Sequence, residues 1–279
     1  MKRKRIICLI CIAVMLITAP LWAAEGGDEQ AELAKKLSNP IASLISVPLQ
    51  SNWDFGIEAP DEVKKNPGLH FQDAYRYTLN VQPVIPISIS KDWNVIIRAI
   101  VPFIHAESPV KEIDDSDGLG DIVNSFFFST KAPTSGGWIW GAGPVFLYPS
   151  GGDGLSARKW GAGPTAVLLK QESGWTYGLL ANHIWSFSGP GEKDISATFI
   201  QPFLSFTTKT YTTFGLNTES TYNWEDSQWR VPINLTVAQL LKIGEMPMQF
   251  QVGGRWFAEK PEGEADWGLR FAVTFLFPK

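Results

Sequence analysis

The chain has 279 residues, with 24 Lys+Arg against 28 Asp+Glu and a formal net charge of −4. That balance offers no basic face for a nucleic-acid partner. Both cysteines, Cys8 and Cys11, lie in the first eleven residues, so the rest of the chain supports neither a disulfide framework nor thiol chemistry.

The first element reads as a secretory leader. Lys2, Arg3, Lys4 and Arg5 form a basic start, Ile6–Ile17 an apolar run, and Pro20-Leu21-Trp22-Ala23-Ala24 a cleavage region. The run is too short to cross a bilayer as a helix. Leu9-Ile10 before Cys11 lack the small residues that a lipid-anchor site needs. Residues 1–23 are assigned as the leader, with cleavage after Ala23 or Ala24. Its removal takes Lys+Arg from 24 to 20 against 28 acids, a mature charge of about −8. Beyond residue 24 no apolar run approaches about 18 residues, which excludes a helical membrane protein. Residues 24–42 form a periplasmic N-terminal segment. Within it Ala31, Leu33, Ala34 and Leu37 recur at helical spacing, giving a short periplasmic helix that is either docked in the barrel mouth as a plug or simply frayed.

From residue 43 to 279 the pattern has period two. Ile45, Val47, Leu49, Trp53, Phe55 and Ile57 alternate with Ser46, Gln50, Asn52 and Asp54. At the other end Trp267, Leu269, Phe271, Val273, Phe275 and Phe277 alternate with Gly268, Arg270, Ala272 and Thr274. Strict alternation places one face in an apolar medium and the other in a polar one. Strands are expected near 43–57, 74–89, 93–104, 119–130, 138–148, 159–169, 175–187, 196–207, 213–224, 229–239, 248–257 and 266–277. Most exceed the five or six residues usual in soluble proteins and match the roughly 9–11 of a tilted membrane strand. The fold class is therefore all-β, an antiparallel transmembrane barrel of about 12 strands.

The connections alternate between long (58–73, 105–118, 149–158, 188–195, 258–265) and short (90–92, 170–174, 208–212), as in outer-membrane barrels with long outside loops and short periplasmic turns. Two fit less well: 225–228 is short for a loop and 240–247 long for a turn. The odd-numbered connections hold seventeen acids against six Lys/Arg, and the even-numbered ones three against five. Eleven tryptophans follow the leader, and they fall at strand ends. Trp53, Trp160, Trp185, Trp224, Trp229, Trp256 and Trp267 mark the outer ends; Trp93, Trp138, Trp140 and Trp175 mark the inner ones. Aromatic girdles at two interfaces produce this placement, and a water-soluble β core does not. Pro48, Pro83, Pro86, Pro102, Pro144, Pro164, Pro202 and Pro232 fall inside strands, where a closed barrel has no free edge. Bulges are expected at several of them.

Parity also gives the interior. The lumen-facing candidates are Arg76, Asn80, Gln82, Arg98, Asp121, Gln201, Asn217, Glu219, Arg230, Gln249, Arg255 and Arg270. All the arginines but Arg98 come from outer or middle strand positions, so their charges collect in the outer half. Two readings stand. The arginines line a narrow anion-favouring path, or they pair with Asp54, Asp121, Glu219 and loop acids to hold the loops over the mouth.

Chemistry is sparse. A serine hydrolase needs a histidine within reach of its serine. Of the three histidines, His70 and His105 fall in loops, and His183 has lipid-facing parity while Ser186 points the other way. The run Asp114-Asp115-Ser116-Asp117 offers clustered oxygens of the kind calcium takes, and equally reads as a solvated loop. No catalytic residue, cofactor or metal is assigned, and the chain reads as a non-enzyme.

Several motifs resemble a known family. They are Leu37-Ser38-Asn39-Pro40, Asn80-Val81-Gln82-Pro83-Val84-Ile85-Pro86, Gly118-Leu119-Gly120-Asp121, the twin Trp-Gly-Ala-Gly-Pro runs at 140–144 and 160–164, Gln201-Pro202-Phe203 and the ending Trp267 to Lys279. Together they resemble the phenol-degradation meta-pathway family of outer-membrane proteins, over nearly the whole mature chain. The resemblance implies an outer-membrane barrel that carries hydrophobic or aromatic compounds. The last strand also resembles the signal read by the barrel assembly machinery, although the chain continues Pro278-Lys279 after Phe277. The expected function is a narrow outer-membrane channel or transporter for small molecules. Its expected partners are outer-membrane lipid, lipopolysaccharide, the assembly machinery and a small-molecule cargo. The alternatives are a structural or surface-interaction barrel without transport, and an outer-membrane lipid hydrolase.

Overall fold

A computed structural model describes residues 27–152 and 154–278; the leader lies outside them. Helix α1 (Gly27–Leu37) is followed by strand β1 (Ile45–Ile57) and the one-turn helix α2 (Asp61–Lys64). Then come β2 (Ala74–Val81), β3 (Val84–Ser88), β4 (Trp93–Ala106), β5 (Ser116–Leu119), β6 (Ile122–Thr130) and β7 (Trp138–Tyr148). The chain continues through β8 (Trp160–Glu172), β9 (Trp175–Ser188), β10 (Ser196–Thr207), β11 (Thr212–Thr218) and β12 (Ser220–Asn223), and ends with β13 (Gln228–Ile243), β14 (Met246–Glu259) and β15 (Trp267–Phe277). All pairings in the sheet are antiparallel, and β15 pairs β1 from Ile45↔Phe277 to Phe55↔Trp267, closing the sheet. Because β2 with β3, β5 with β6 and β11 with β12 are each one strand interrupted, the barrel has twelve strands.

Prolines cause the interruptions, in two ways. At Gln82-Pro83 and at Glu219 the register is the same on both sides of the break (Val81↔Val101 and Val84↔Arg98; Thr218↔Ile233 and Thr221↔Arg230). There the ladder loses bonds without slipping: Gln82 N–H still reaches the Pro48 carbonyl and Glu219 N–H the Pro232 carbonyl, but the prolines return none. Across from Pro102 the register does slip by one residue, from Phe103↔Leu119 to Ile100↔Val123, a bulge at Gly120-Asp121. A second slip adjoins Pro232, between Val231↔Glu259 and Pro232↔Phe257. The expected bulges thus occur at Pro102 and Pro232, while Pro48, Pro83 and Pro202 sit in ladders whose register is unbroken. Within the twin Trp-Gly-Ala-Gly-Pro runs, a Cβ on Gly143 or Gly163 would collide with the Phe126 or His183 carbonyl, so these glycines permit the close approach of neighbouring strands.

The outer surface is apolar, with Phe103, Phe128, Leu168, Leu179, Leu204, Phe214, Leu235 and Phe271 exposed. Aromatic pairs ring both ends. Trp53–Tyr77, Phe55–Trp267, Tyr148–Trp160 and Tyr222–Trp229 lie toward the long loops; Trp93–Trp140, Trp138–Tyr177 and Trp175–Phe206 lie toward the short turns. Exposed apolar bands between aromatic girdles are the surface a bilayer solvates.

Two local expectations need correction. Ile57 does not continue the outward row. Gly56 takes φ 76, the register slips between Phe55 and Ile57, and Ile57 turns inward to pack with Ala74, Phe257 and Ala265. The long turn expected at 240–247 is the two residues Gly244-Glu245, because β13 runs on to Ile243 and β14 starts at Met246.

Candidate functional site

Twelve strands spaced about 4.8 Å apart and tilted about 40° give a backbone radius of about 12 Å. Inward side chains fill about 5 Å of it, leaving a bore of about 7 Å radius, room for one folded-back peptide. The N-terminal segment occupies that room at the short-turn end. Leu33 and Ala34 of α1, with Ala42 and Leu44, pack on Leu240 and Leu276 of the wall. Ile41 goes deeper, among Ile96, Phe127, Val167, Leu169 and Leu180. The Asn94 amide donates to Ser43 Oγ (2.8 Å) and the Gln171 amide to the Lys35 carbonyl (2.8 Å). Of the two sequence readings for this segment, the docked plug is the one adopted.

Toward the long-loop end lies a charged layer. Arg255 Nη1 donates to both oxygens of Asp54 (2.8 and 2.9 Å), and its Nε to Asn234 Oδ1 (3.1 Å). Arg270 grips Glu219 with both terminal nitrogens at 2.8 Å and Asn52 with Nε at 2.8 Å. Above these, Arg230 Nε donates to Glu264 Oε2 (3.2 Å), and Arg76 Nη1 stands 3.8 Å from Glu264 Oε1, so one loop carboxylate is held from two strands. Both Arg230 and Arg255 lie over the Phe257 ring, at 4.9 and 5.3 Å.

Between plug and charged layer is a cavity of about 420 Å³. Eight of the twelve candidates line it: Asn80, Gln82, Arg98, Gln201, Asn217, Glu219, Gln249 and Arg270. The other four do not. Arg76, Arg230 and Arg255 belong to the charged layer, paired with acids. Asp121 is displaced by the bulge at Gly120 and holds the loop 149–159 instead, accepting from Gly151 N (3.3 Å), Ala157 N (2.9 Å) and Ser156 Oγ. Its partners are loop groups and not one of the interior arginines. Parity alone missed the plug residues Ser38, Asn39 and Pro40 on the cavity wall. It also gave no role to Asn52 and Asn234, although both sit on the inward parity.

The long loops are clasped to one another. Gln72 N–H donates to the Pro109 carbonyl and Lys111 N–H to the His70 carbonyl, while Glu112 accepts from His70 N (3.0 Å) and meets its ring Nδ1 (2.7 Å). The His70 backbone N–H, and then its ring, hold the Glu112 carboxyl below the ordinary carboxylate range. A lowered carboxyl contributes stability that is present above its unfolded pKa and is lost as pH falls through the folded one. The clasp is therefore expected to loosen below about pH 4, read as a loss of amide protection at Gln72 and Lys111 relative to the intrinsic exchange rate at each pH. Glu112→Gln should bring that loosening to neutral pH; exchange independent of both changes counts against the clasp.

The three histidines pair with Glu112, Asp117 (2.7 Å) and Thr198 (2.7 Å), and among the described residues none hydrogen-bonds a serine. Two members of the acidic run have local partners, Asp115 accepting from Ser108 N and Asp117, at the start of β5, meeting His105. Among the described residues no group of three or more His, Cys, Asp or Glu is placed to hold a metal ion.

No protein-family model and no curated protein matches the sequence. Solved structures do match. An outer membrane channel from Pseudomonas putida F1 superposes with TM-score 0.65 at 12% identity, over 84% of this chain and 96% of that one. Outer membrane phospholipase A from Escherichia coli gives 0.45 at 9%, over 92% and 99%. The β domain of the Bordetella autotransporter BrkA gives 0.41 at 11%, over 84% and 100%. At these identities the first likeness is one of fold: this chain has the architecture of an outer-membrane β-barrel.

Proposed function

We propose that the protein is a narrow channel of the bacterial outer membrane for small molecules, with α1 and the residues after it as its plug. The supporting observation is the unfilled interior. A barrel serving only as an anchor gains from packing its core, whereas this one keeps about 420 Å³ between plug and charged layer, lined by amides, apolar side chains and charged groups that include Arg98, Arg270 and Glu219. The superposition on a channel from Pseudomonas putida F1 agrees with this reading, and so does the motif resemblance to a family credited with carrying hydrophobic or aromatic compounds. The orientation follows from the connections, the long acidic loops facing outward and both chain termini and the plug facing the periplasm.

Purified protein whose gel mobility shifts on boiling, the mark of a closed barrel, is to be inserted in planar bilayers. Stepwise current increments are expected, small because plug and loops both narrow the path. A folded barrel that never conducts, even under voltage, assigns the chain to the structural or surface-interaction class.

A further inference from the structure

We infer that Arg98 is the anchor of a binding site for a small organic monoanion, a carboxylate with a short apolar body. This deepens the channel reading and rests on it for its biological purpose. Arg98 lies mid-strand on β4, on the inward parity with Asn94 and Ile96, and lines the cavity. Its one hydrogen bond among the described residues runs from Nη2 to Gln82 Oε1, at 3.3 Å. The other interior arginines each have a carboxylate within 4 Å: Arg76 and Arg230 share Glu264, Arg255 has Asp54, and Arg270 has Glu219. Glu219 also lines the cavity, but both its oxygens are engaged by Arg270. Arg98 is thus the interior arginine left without an ion pair among the described residues. A cation inside a barrel, away from bulk water, is costly unless an anion or several acceptors meet it.

The surroundings define that anion. A guanidinium offers parallel N–H groups that match a carboxylate in two-point contact. The Gln50, Asn80, Gln201 and Gln249 amides line the same space and have no protein hydrogen bond among the described residues, so their N–H₂ groups are free to donate to it. Val84, Ile100, Phe127 and Phe199 supply an apolar wall. One cation without an ion pair, in a cavity whose wall also carries the Glu219 carboxylate, selects a single negative charge over two. About 420 Å³ falls in the range of small-ligand sites and accommodates one molecule of hexanoate's size.

The test is calorimetric titration of the purified full-length protein in detergent with hexanoate and with neutral hexanamide, each corrected for protein-free micelles. Saturable hexanoate binding is expected, with hexanamide at least tenfold weaker. Arg98→Gln should weaken hexanoate by about ten- to a hundredfold, the range of a charged hydrogen bond lost, and leave hexanamide unchanged. Ser125 is the register partner of Arg98 on β6, so Ser125→Asp places a resident carboxylate beside the guanidinium and should suppress hexanoate binding by a separate route. Absent saturable hexanoate binding, hexanamide binding equally well, or either folded variant binding hexanoate like the parent would overturn the site. Binding in a protein that never conducts would keep the site and remove the channel reading.

Discussion

Deleting residues 28–42 is expected to raise the unit conductance several-fold and to make the open state steady. Those residues hold Leu33, Ala34, Ile41 and Ala42 against the wall at the short-turn end, where the bore is too narrow for both a peptide and a hydrated ion stream. The seat is mainly apolar. Burying a Leu or Ile side chain contributes roughly 1.5–3 kcal/mol, so Leu33, Ile41 and Leu44 together hold the segment by several kcal/mol at most. A force of that size can be overcome by voltage or ligand. Ile41→Asn, which sets a polar group among Ile96, Phe127 and Leu169, should therefore give flickering openings short of the deletion's effect. Both are read as single-channel records in planar bilayers. Unchanged conductance in the deletion would locate the constriction in the charged layer near the long loops.

The largest loss of stability is expected from Asp54→Ala. It leaves Arg255, whose side chain is 5% exposed, with Asn234 and a Glu219 oxygen 3.9 Å away as the remaining polar partners of its guanidinium. Breaking a buried pair by removing one member costs about 3–5 kcal/mol, and the distant Glu219 puts this case near the lower figure. The observable is the temperature at which the folded gel form converts to the unfolded one, which should fall markedly. Asp54→Leu with Arg255→Met removes both charges and should recover most of the loss, because a buried ion pair is worth little against apolar residues of similar size. If the double variant is as unstable as the single one, the Arg255 contacts to Asn234 carry the stability instead.

Strand positions were legible because lipid on one side and a polar interior on the other force alternation, and the tryptophans mark where lipid ends. The misreadings occur where another constraint overrides alternation. At Gly56 a left-handed residue lets Ile57 turn under the loops. At 240–247 the polar-inside rule failed because Leu240 faces inward onto the plug rather than onto the cavity. The interior was legible by face but not by depth. Parity put Arg76, Arg98 and Arg255 on one surface, yet which of them meets an acid depends on strand stagger and on where loop 260–266 folds back. Asp121 sits at a one-residue bulge, which no period-two count anticipates, and its partners are loop groups instead of an arginine. The plug was readable as a helix, but its seat depends on contacts with residues such as Phe127 and Leu240, distant in sequence.

The seam between β1 and β15 has a consequence for how the molecule is assembled. Joining Ile45 to Phe277 closes a circuit of more than two hundred residues, and tying such distant ends costs about 5 kcal/mol in chain entropy beyond a constant. No part of that seam rewards the chain until its last strand exists, so the circuit closes last. The segment before β1 enters from the same end, and its seat on Leu240 and Leu276 is complete only once β13 and β15 have joined the wall. Assembly therefore has an order built into it. A chain whose first forty residues are held outside, by a bulky fusion or a tether, would complete its wall around an empty bore.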